Sequence, residues 1–69
     1  MKTTNLEVLG MTCDNCVRHV EKALRGIDGV EAVDVSLVEA RATVEHLDSV
    51  TTSELVASVE EEGYEARAA

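Results

Sequence analysis

The sequence predicts an α+β domain of order βαββαβ, a four-stranded antiparallel sheet with two helices packed on one face. Apolar residues recur every second position in three stretches and at helical spacing in two, and glycines stand where one pattern gives way to the next. A short tail after the last helix leaves room for one more strand.

Thr4 to Leu9 sets Leu6 and Val8 on one face and Asn5 and Glu7 on the other, the pattern of a half-buried strand, and Gly10 ends it. A loop carrying both cysteines follows. From Asp14 to Arg25, the residues Val17, Val20, Ala23 and Leu24 fall at helical spacing, with Ile27 just beyond and Arg18, Glu21, Lys22 and Arg25 on the other faces. Gly26 and Gly29 stop this helix. Val33, Val35 and Leu37 alternate with Asp34 and Ser36; after a turn near Val38 to Ala40, Ala42 and Val44 alternate with Arg41, Thr43 and Glu45. That is a hairpin, but its turn has no Asn-Gly or Asp-Gly, so its register is open. Thr51 and Glu54 form a capping box ahead of a second helix with Leu55, Val56 and Val59 on its inner face and Gly63 at its end. Tyr64 to Ala68 makes a short edge strand.

Right-handed crossovers turn this order into the split-βαβ, or ferredoxin-like, arrangement. The loop holding Cys13 and Cys16 and the Gly63–Tyr64 connection then share one end of the sheet. His46 and Asp48, at the finish of the third strand, lie at the other.

At 69 residues the chain is read as a single domain, 1–69. A domain this small buries only about 60% of the surface its unfolded form exposes. Valine, leucine, isoleucine and alanine must build the core, because Phe and Trp are absent and Tyr64 is the one aromatic. Fourteen acidic against six basic residues give a net charge of −8, which repels phosphate backbones and anionic lipid and excludes nucleic acid as a partner. No secretion signal and no apolar run of membrane-spanning length appear, so no membrane insertion and a cytoplasmic location are expected.

The two cysteines stand in the stretch GMTCDNC, residues 10–16. A disulfide between them would close a very short loop and remove little entropy from the unfolded chain, so local chemistry is the better explanation of the pair. Cys13 sits in the loop and Cys16 on the first helical turn, where backbone N–H groups and the positive end of the helix dipole favour thiolate. Zinc asks for four protein ligands, or three and a water. His46 is at the wrong end, and His19 is read as a polar residue on the exposed side of the helix, although it is near enough to turn toward the sulfurs. Thiolates without further donors select Cu(I), a soft ion content with low coordination. An ion held so sparsely at the surface is open to thiolates from another protein.

Met11 can be a third sulfur ligand or a filler of the small core, and the second role suits an unbranched thioether beside a strand-ending glycine. Tyr64 can cap the core with its ring, set its hydroxyl beside the thiolates, or do both. A thioredoxin-type dithiol is the alternative for C-x-x-C beside a βαβ pattern, but the chain is short for that fold and has no proline to form the cis turn opposite the thiols. No Ser-His-Asp set or phosphate-binding loop appears, and Glu60, Glu61 and Glu62 read as a solvated helix end, so no enzyme activity is expected.

GMTCDNCVRHVEKAL, the following Gly29-Val30, VDVSL, ATVEH and the closing EEGYEA resemble the heavy-metal-associated domain over about residues 4 to 67. That family includes bacterial copper chaperones, the soluble domains of heavy-metal P-type ATPases and periplasmic mercury-binding proteins. The resemblance implies Cys13 and Cys16 as metal ligands, Met11 as a buried support of the loop and Tyr64 as the residue beside the site in bacterial copper carriers. Thr12 favours copper, since zinc-exporting relatives are similar to GMDC, with aspartate there. Mercury-binding relatives tend to carry phenylalanine at the place of Tyr64. Val38-Glu39-Ala40 departs from the family's usual turn between the middle strands.

Arg18, Lys22 and Arg25 form a basic stripe on an acidic molecule, either a solvated face paired with Glu21 or a docking face for an acidic partner surface. The expectation is a Cu(I) carrier that passes its ion by thiolate exchange to the soluble metal-binding domain of a copper-transporting P-type ATPase. The alternatives are a domain excised from such an ATPase, a carrier of Hg(II) or Zn(II), and a dithiol oxidoreductase. Starting at Met1 and ending just past the last strand, the chain looks like a free-standing chaperone. Two copies can also share one copper ion, as a metal-bridged homodimer.

Overall fold

The computed structural model describes all 69 residues. Strand β1 (Lys2–Leu9), helix α1 (Asp14–Arg25), strands β2 (Val30–Ser36) and β3 (Arg41–His46), helix α2 (Thr52–Glu61) and strand β4 (Glu65–Ala68) follow in the expected order. The strands form one sheet, β2-β3-β1-β4, with every neighbouring pair antiparallel. The fold is the ferredoxin-like one that the sequence predicts.

The inner face of the sheet carries Leu6 and Val8 from β1, Val33 from β2, and Ala42 and Val44 from β3; Val20 and Leu24 of α1, Val50, and Leu55 and Val59 of α2 close over them. Leu6 stands opposite Ala42 in the β1–β3 register, so a large side chain meets a small one. Helix α1 lies over β2, and α2 lies over β4 and against α1. The Ser58 hydroxyl donates to the Ala23 carbonyl at 3.0 Å, a polar tie between the helices. Replacing Leu24 or Leu55, both fully buried, with alanine would cost about 2–5 kcal/mol, a large share of a small domain's stability.

Three elements differ from the sequence reading. Strand β1 begins at Lys2 rather than Thr4, because the inward positions Lys2 and Thr4 are polar and show no apolar alternation. Strand β2 begins at Val30 rather than Val33: Val30 pairs with His46 but Ala32 with Glu45, so a bulge at Glu31 interrupts the period of two. Only the forward half of the capping box forms, with Glu54 N–H donating to Thr51 Oγ1 at 3.2 Å.

The open hairpin turn is settled by Ala40, which adopts φ 52, a left-handed conformation uncommon outside glycine. Its carbonyl accepts the Val8 N–H at 2.8 Å, which fixes the turn against the end of β1. At the opposite end, Gly29 (φ 98) packs so closely that a Cβ would lie 2.7 Å from Val50 Cγ2. That contact and the Gly29 carbonyl's bond from Leu47 N–H, at 2.8 Å, seat the β3–α2 connection.

His46 is 2% exposed, a burial that its charge-bearing residue type did not announce. Its Nδ1 lies 2.9 Å from the Leu47 carbonyl, and its Nε2 lies 2.7 Å from Thr4 Oγ1. The carbonyl can only accept, so Nδ1 carries a proton and donates to it, while the Thr4 hydroxyl, able to donate or accept, pairs with Nε2. This histidine is part of the core at the end away from the cysteines.

Candidate metal centre

Three connections meet at one end of the sheet: the β1–α1 loop, the β2–β3 turn and the α2–β4 loop. Their proximity follows from register, because Glu7 of β1 faces Arg41 at the start of β3 and Leu9 faces Glu65 at the start of β4. Gly10 (φ 98) turns the chain out of β1. Met11 then packs against the core. Cys13, extended at φ −158 and ψ 172, is the N-cap of α1, and its carbonyl accepts the N–H groups of Cys16 at 3.0 Å and Val17 at 3.3 Å.

Neither sulfur is used in capping, and both thiols are free. Cys13 Sγ and Cys16 Sγ lie 3.7 Å apart, Cys13 exposed and Cys16 half-buried behind it. That separation is far beyond a disulfide bond of about 2.05 Å. No group of three or more His, Cys, Asp or Glu side chains is arranged to hold a metal ion. His19 and His46 stand away from the sulfurs, the first exposed along α1 and the second buried at the other end.

The electrostatics of the two sulfurs differ. The Cys16 thiol is lowered from its ordinary 9.0 to about 6, foremost by the backbone N–H of Thr12 and next by the Tyr64 hydroxyl, with burial opposing. Smaller downward influences come from the Cys13 thiol and the Thr12 hydroxyl, whose oxygen is 3.9 Å from Cys16 Sγ. Tyr64 is pushed up to about 12, first by its hydrogen bond to Cys16, then by burial and the nearby sulfur charges. Its half-buried ring packs against the core, where a Cβ on Gly10 would lie 3.5 Å from Cδ1. Core packing and hydroxyl placement therefore hold together in this residue.

Residue order points to the helix end as the source of thiolate character and to Thr12 only through metal choice. The specific donor, the Thr12 amide, depends on how the loop folds back over Cys16 and has no signature in residue type.

On α1, Arg25 Nε is 3.1 Å from Glu21 Oε1, the internal pairing expected of a solvated face. Arg18 and Lys22 are exposed and form no ion pair. The stripe thus divides into one paired and two free cations. No helix is long and apolar enough to cross a membrane.

The fold and this loop define a class: small ferredoxin-like domains with an exposed C-x-x-C pair at the start of the first helix. The chain belongs to the heavy-metal-associated domain family, whose model matches residues 6–65. It is 38% identical over 68 residues to the copper chaperone CopZ of Staphylococcus saprophyticus, covering 97% of this chain and 100% of that protein. Matches to longer proteins include a mercuric reductase of Shewanella putrefaciens, 42% identical over 90% of this chain, and copper-transporting ATPase 2 of Rhizobium meliloti, 40% identical over 97%. The chain spans only 11% of that reductase's length and 8% of that ATPase's. A solved CopZ metallochaperone superposes with a TM-score of 0.92 at 37% identity, over 96% of this chain and 100% of the other. The copper binding domain of the P-type ATPase HMA7 gives 0.97 at 33% identity, over 100% and 95%.

Proposed function

We propose that this chain is a single-domain Cu(I) carrier, working in the cytoplasm without catalytic turnover, that holds its ion on Cys13 and Cys16 and releases it to the soluble metal-binding domain of a copper-transporting P-type ATPase. The observation that carries this reading is the pair of free, surface-placed sulfurs 3.7 Å apart with no third ligand in reach. The likeness to CopZ over that protein's whole length supports it, as does the recurrence of the domain in copper-transporting ATPases.

Two thiolates satisfy a soft d10 ion. Sulfurs 3.7 Å apart at the surface can both face one ion and leave its outer side open to solvent. An incoming thiolate bonds there, and one of this chain's sulfurs then leaves, so copper crosses without ever being free. Met11 braces the loop from the core, and the donors around Cys16 stabilise its sulfur when it is not bonded to the ion. Thr12 supplies no hard oxygen anion for zinc. Arg18, two residues past Cys16, and Lys22, with Arg25 in the last turn of α1, offer the recipient's acidic surface a docking face that runs down the helix from the loop.

The test is a Cu(I) competition titration of the reduced protein alongside Cys13→Ser and Cys16→Ser. Each substitution should weaken binding at least a hundredfold, and unchanged affinity in both would reject the assignment. For docking, glutamate at Arg18 and Lys22 should slow transfer at low salt while leaving Cu(I) affinity unchanged; equal transfer rates would remove the stripe from the account.

A further inference from the structure

The β2–β3 turn breaks the usual pattern of an exposed turn. Such positions favour glycine, asparagine, aspartate and serine, yet residues 37–40 read Leu-Val-Glu-Ala. Val38 is 97% exposed, the barest large apolar side chain in the molecule, and Leu37 is half-buried without joining the core or the layer packed against it. The turn is also held fast. Ala40 takes left-handed backbone at φ 52, its N–H donates to the Leu37 carbonyl at 3.3 Å, and the Glu39 N–H donates to Ser36 Oγ at 3.3 Å. The Ala40 carbonyl accepts the Val8 N–H at 2.8 Å. Bare apolar side chains on a fixed, locally strained turn do nothing for the fold, and a departure of this kind marks a surface that meets a partner.

Position decides which partner. The β1–β3 register sets Glu7 opposite Arg41, so the turn stands across from the residues that lead into the cysteine loop. The molecule measures 31 × 20 × 17 Å, and β1, eight residues and about 25 Å long, fits only the long axis. The end that carries the cysteines is therefore 20 × 17 Å across. That footprint is smaller than the about 600–1,000 Å² that a specific interface covers on each partner. A protein that brings its thiolates to Cys13 and Cys16 must cover the turn as well.

We propose that the β2–β3 turn, led by Val38 and Leu37, is the apolar contact by which this carrier recognises the domain that accepts its copper, a thiolate-bearing domain with an apolar patch beside its own sulfurs. The inference rests on the carrier reading. Charge and apolar contact then have separate roles: Arg18 and Lys22 steer the approach, while Val38 sets how long the pair stays together. Glu39, on the same turn, repels acid, so the recipient's acidic surface lies opposite α1 and its apolar patch opposite the turn.

The experiment follows copper transfer from the loaded full chain to the soluble metal-binding domain of a copper-transporting ATPase of the same organism, by stopped flow over a range of recipient concentrations at low and high salt. Val38→Ser should raise the half-saturating concentration about tenfold at both salts, the effect of leaving one valine side chain unburied. Its Cu(I) affinity and melting temperature should match the parent's, and Val38→Leu should recover most of the loss. An unchanged half-saturating concentration in Val38→Ser would overturn the proposal, as would a defect that vanishes at high salt or one accompanied by a lower melting temperature. Sedimentation of the metal-free chain addresses the other occupant: a dimer that Val38→Ser dissolves would assign the turn to a second copy and reject the recipient. A parent chain that passes no copper to the domain rejects the carrier reading beneath; equal transfer by parent and Val38→Ser rejects only the docking turn.

Discussion

Cys16 and Tyr64 move each other's protons in opposite directions: the thiol falls to about 6 and the phenol rises to about 12. Their shared hydrogen bond is the foremost cause for the phenol and, after the Thr12 backbone N–H, the next for the thiol, since the phenol donates to a thiolate that is best stabilised while the phenol keeps its proton. The site therefore keeps one sulfur ionised near neutrality without placing a cation beside it, and a soft cation arriving there meets no like charge.

Tyr64→Phe removes that donor and leaves the ring in the core. The Cys16 thiolate should then form about one pH unit higher, the scale of a single lost donor among several. Thiolate absorbance against pH, measured in a Cys13→Ser background to isolate one sulfur, reads the change. An unshifted curve would leave the Thr12 amide as the sufficient cause.

Stability of the reduced chain should depend on pH through the same sulfur. Unfolded, Cys16 keeps its ordinary value of 9.0, while folded it titrates near 6, so between these values the unfolded chain holds a proton that the folded chain has lost. The stabilisation is fully present above pH 9 and disappears as pH falls through 6. Tyr64 has the opposite sign: its raised value stabilises the fold below its ordinary 10.0, and that contribution is lost as pH climbs through 12. Urea midpoints at pH 6, 7.5 and 9 should rise in that order for the parent and flatten in Cys16→Ser.

At the far end, Thr4, His46 and the Leu47 carbonyl form a buried chain of hydrogen bonds. His46→Ala opens a cavity and strands two polar groups, and should destabilise the domain by about 2–4 kcal/mol. Thr4→Val, which keeps the volume, should cost about 1 kcal/mol. Denaturant titration gives both values, and Cu(I) affinity should stay within twofold of the parent because neither residue is near the sulfurs.

Ala40 occupies left-handed backbone at φ 52, a conformation that costs an L-residue about 1–2 kcal/mol and glycine almost nothing. After glycine's greater loss of chain entropy, Ala40→Gly should stabilise the domain by about 0.5–1 kcal/mol. A lower melting temperature would mean that the Ala40 methyl packs better than its backbone strain costs.

Where local pattern speaks, the chain was readable in advance. Helix α1 runs from Asp14 to Arg25 as its periodicity indicates, and connection order alone brings Tyr64 to the cysteine loop and sends His46 to the other end. These features follow from backbone periods and handed crossovers, which residue type and order encode directly. The bulge at Glu31 was hidden because the extra residue breaks the alternation by which strands are recognised. Tertiary structure alone decided that Thr4 faces a buried histidine, that the Thr12 amide is the foremost donor to Cys16, and that the sulfurs rest 3.7 Å apart. Each of these is a distance between groups whose positions depend on how loops close over a packed core, and single-residue preferences carry no such distances.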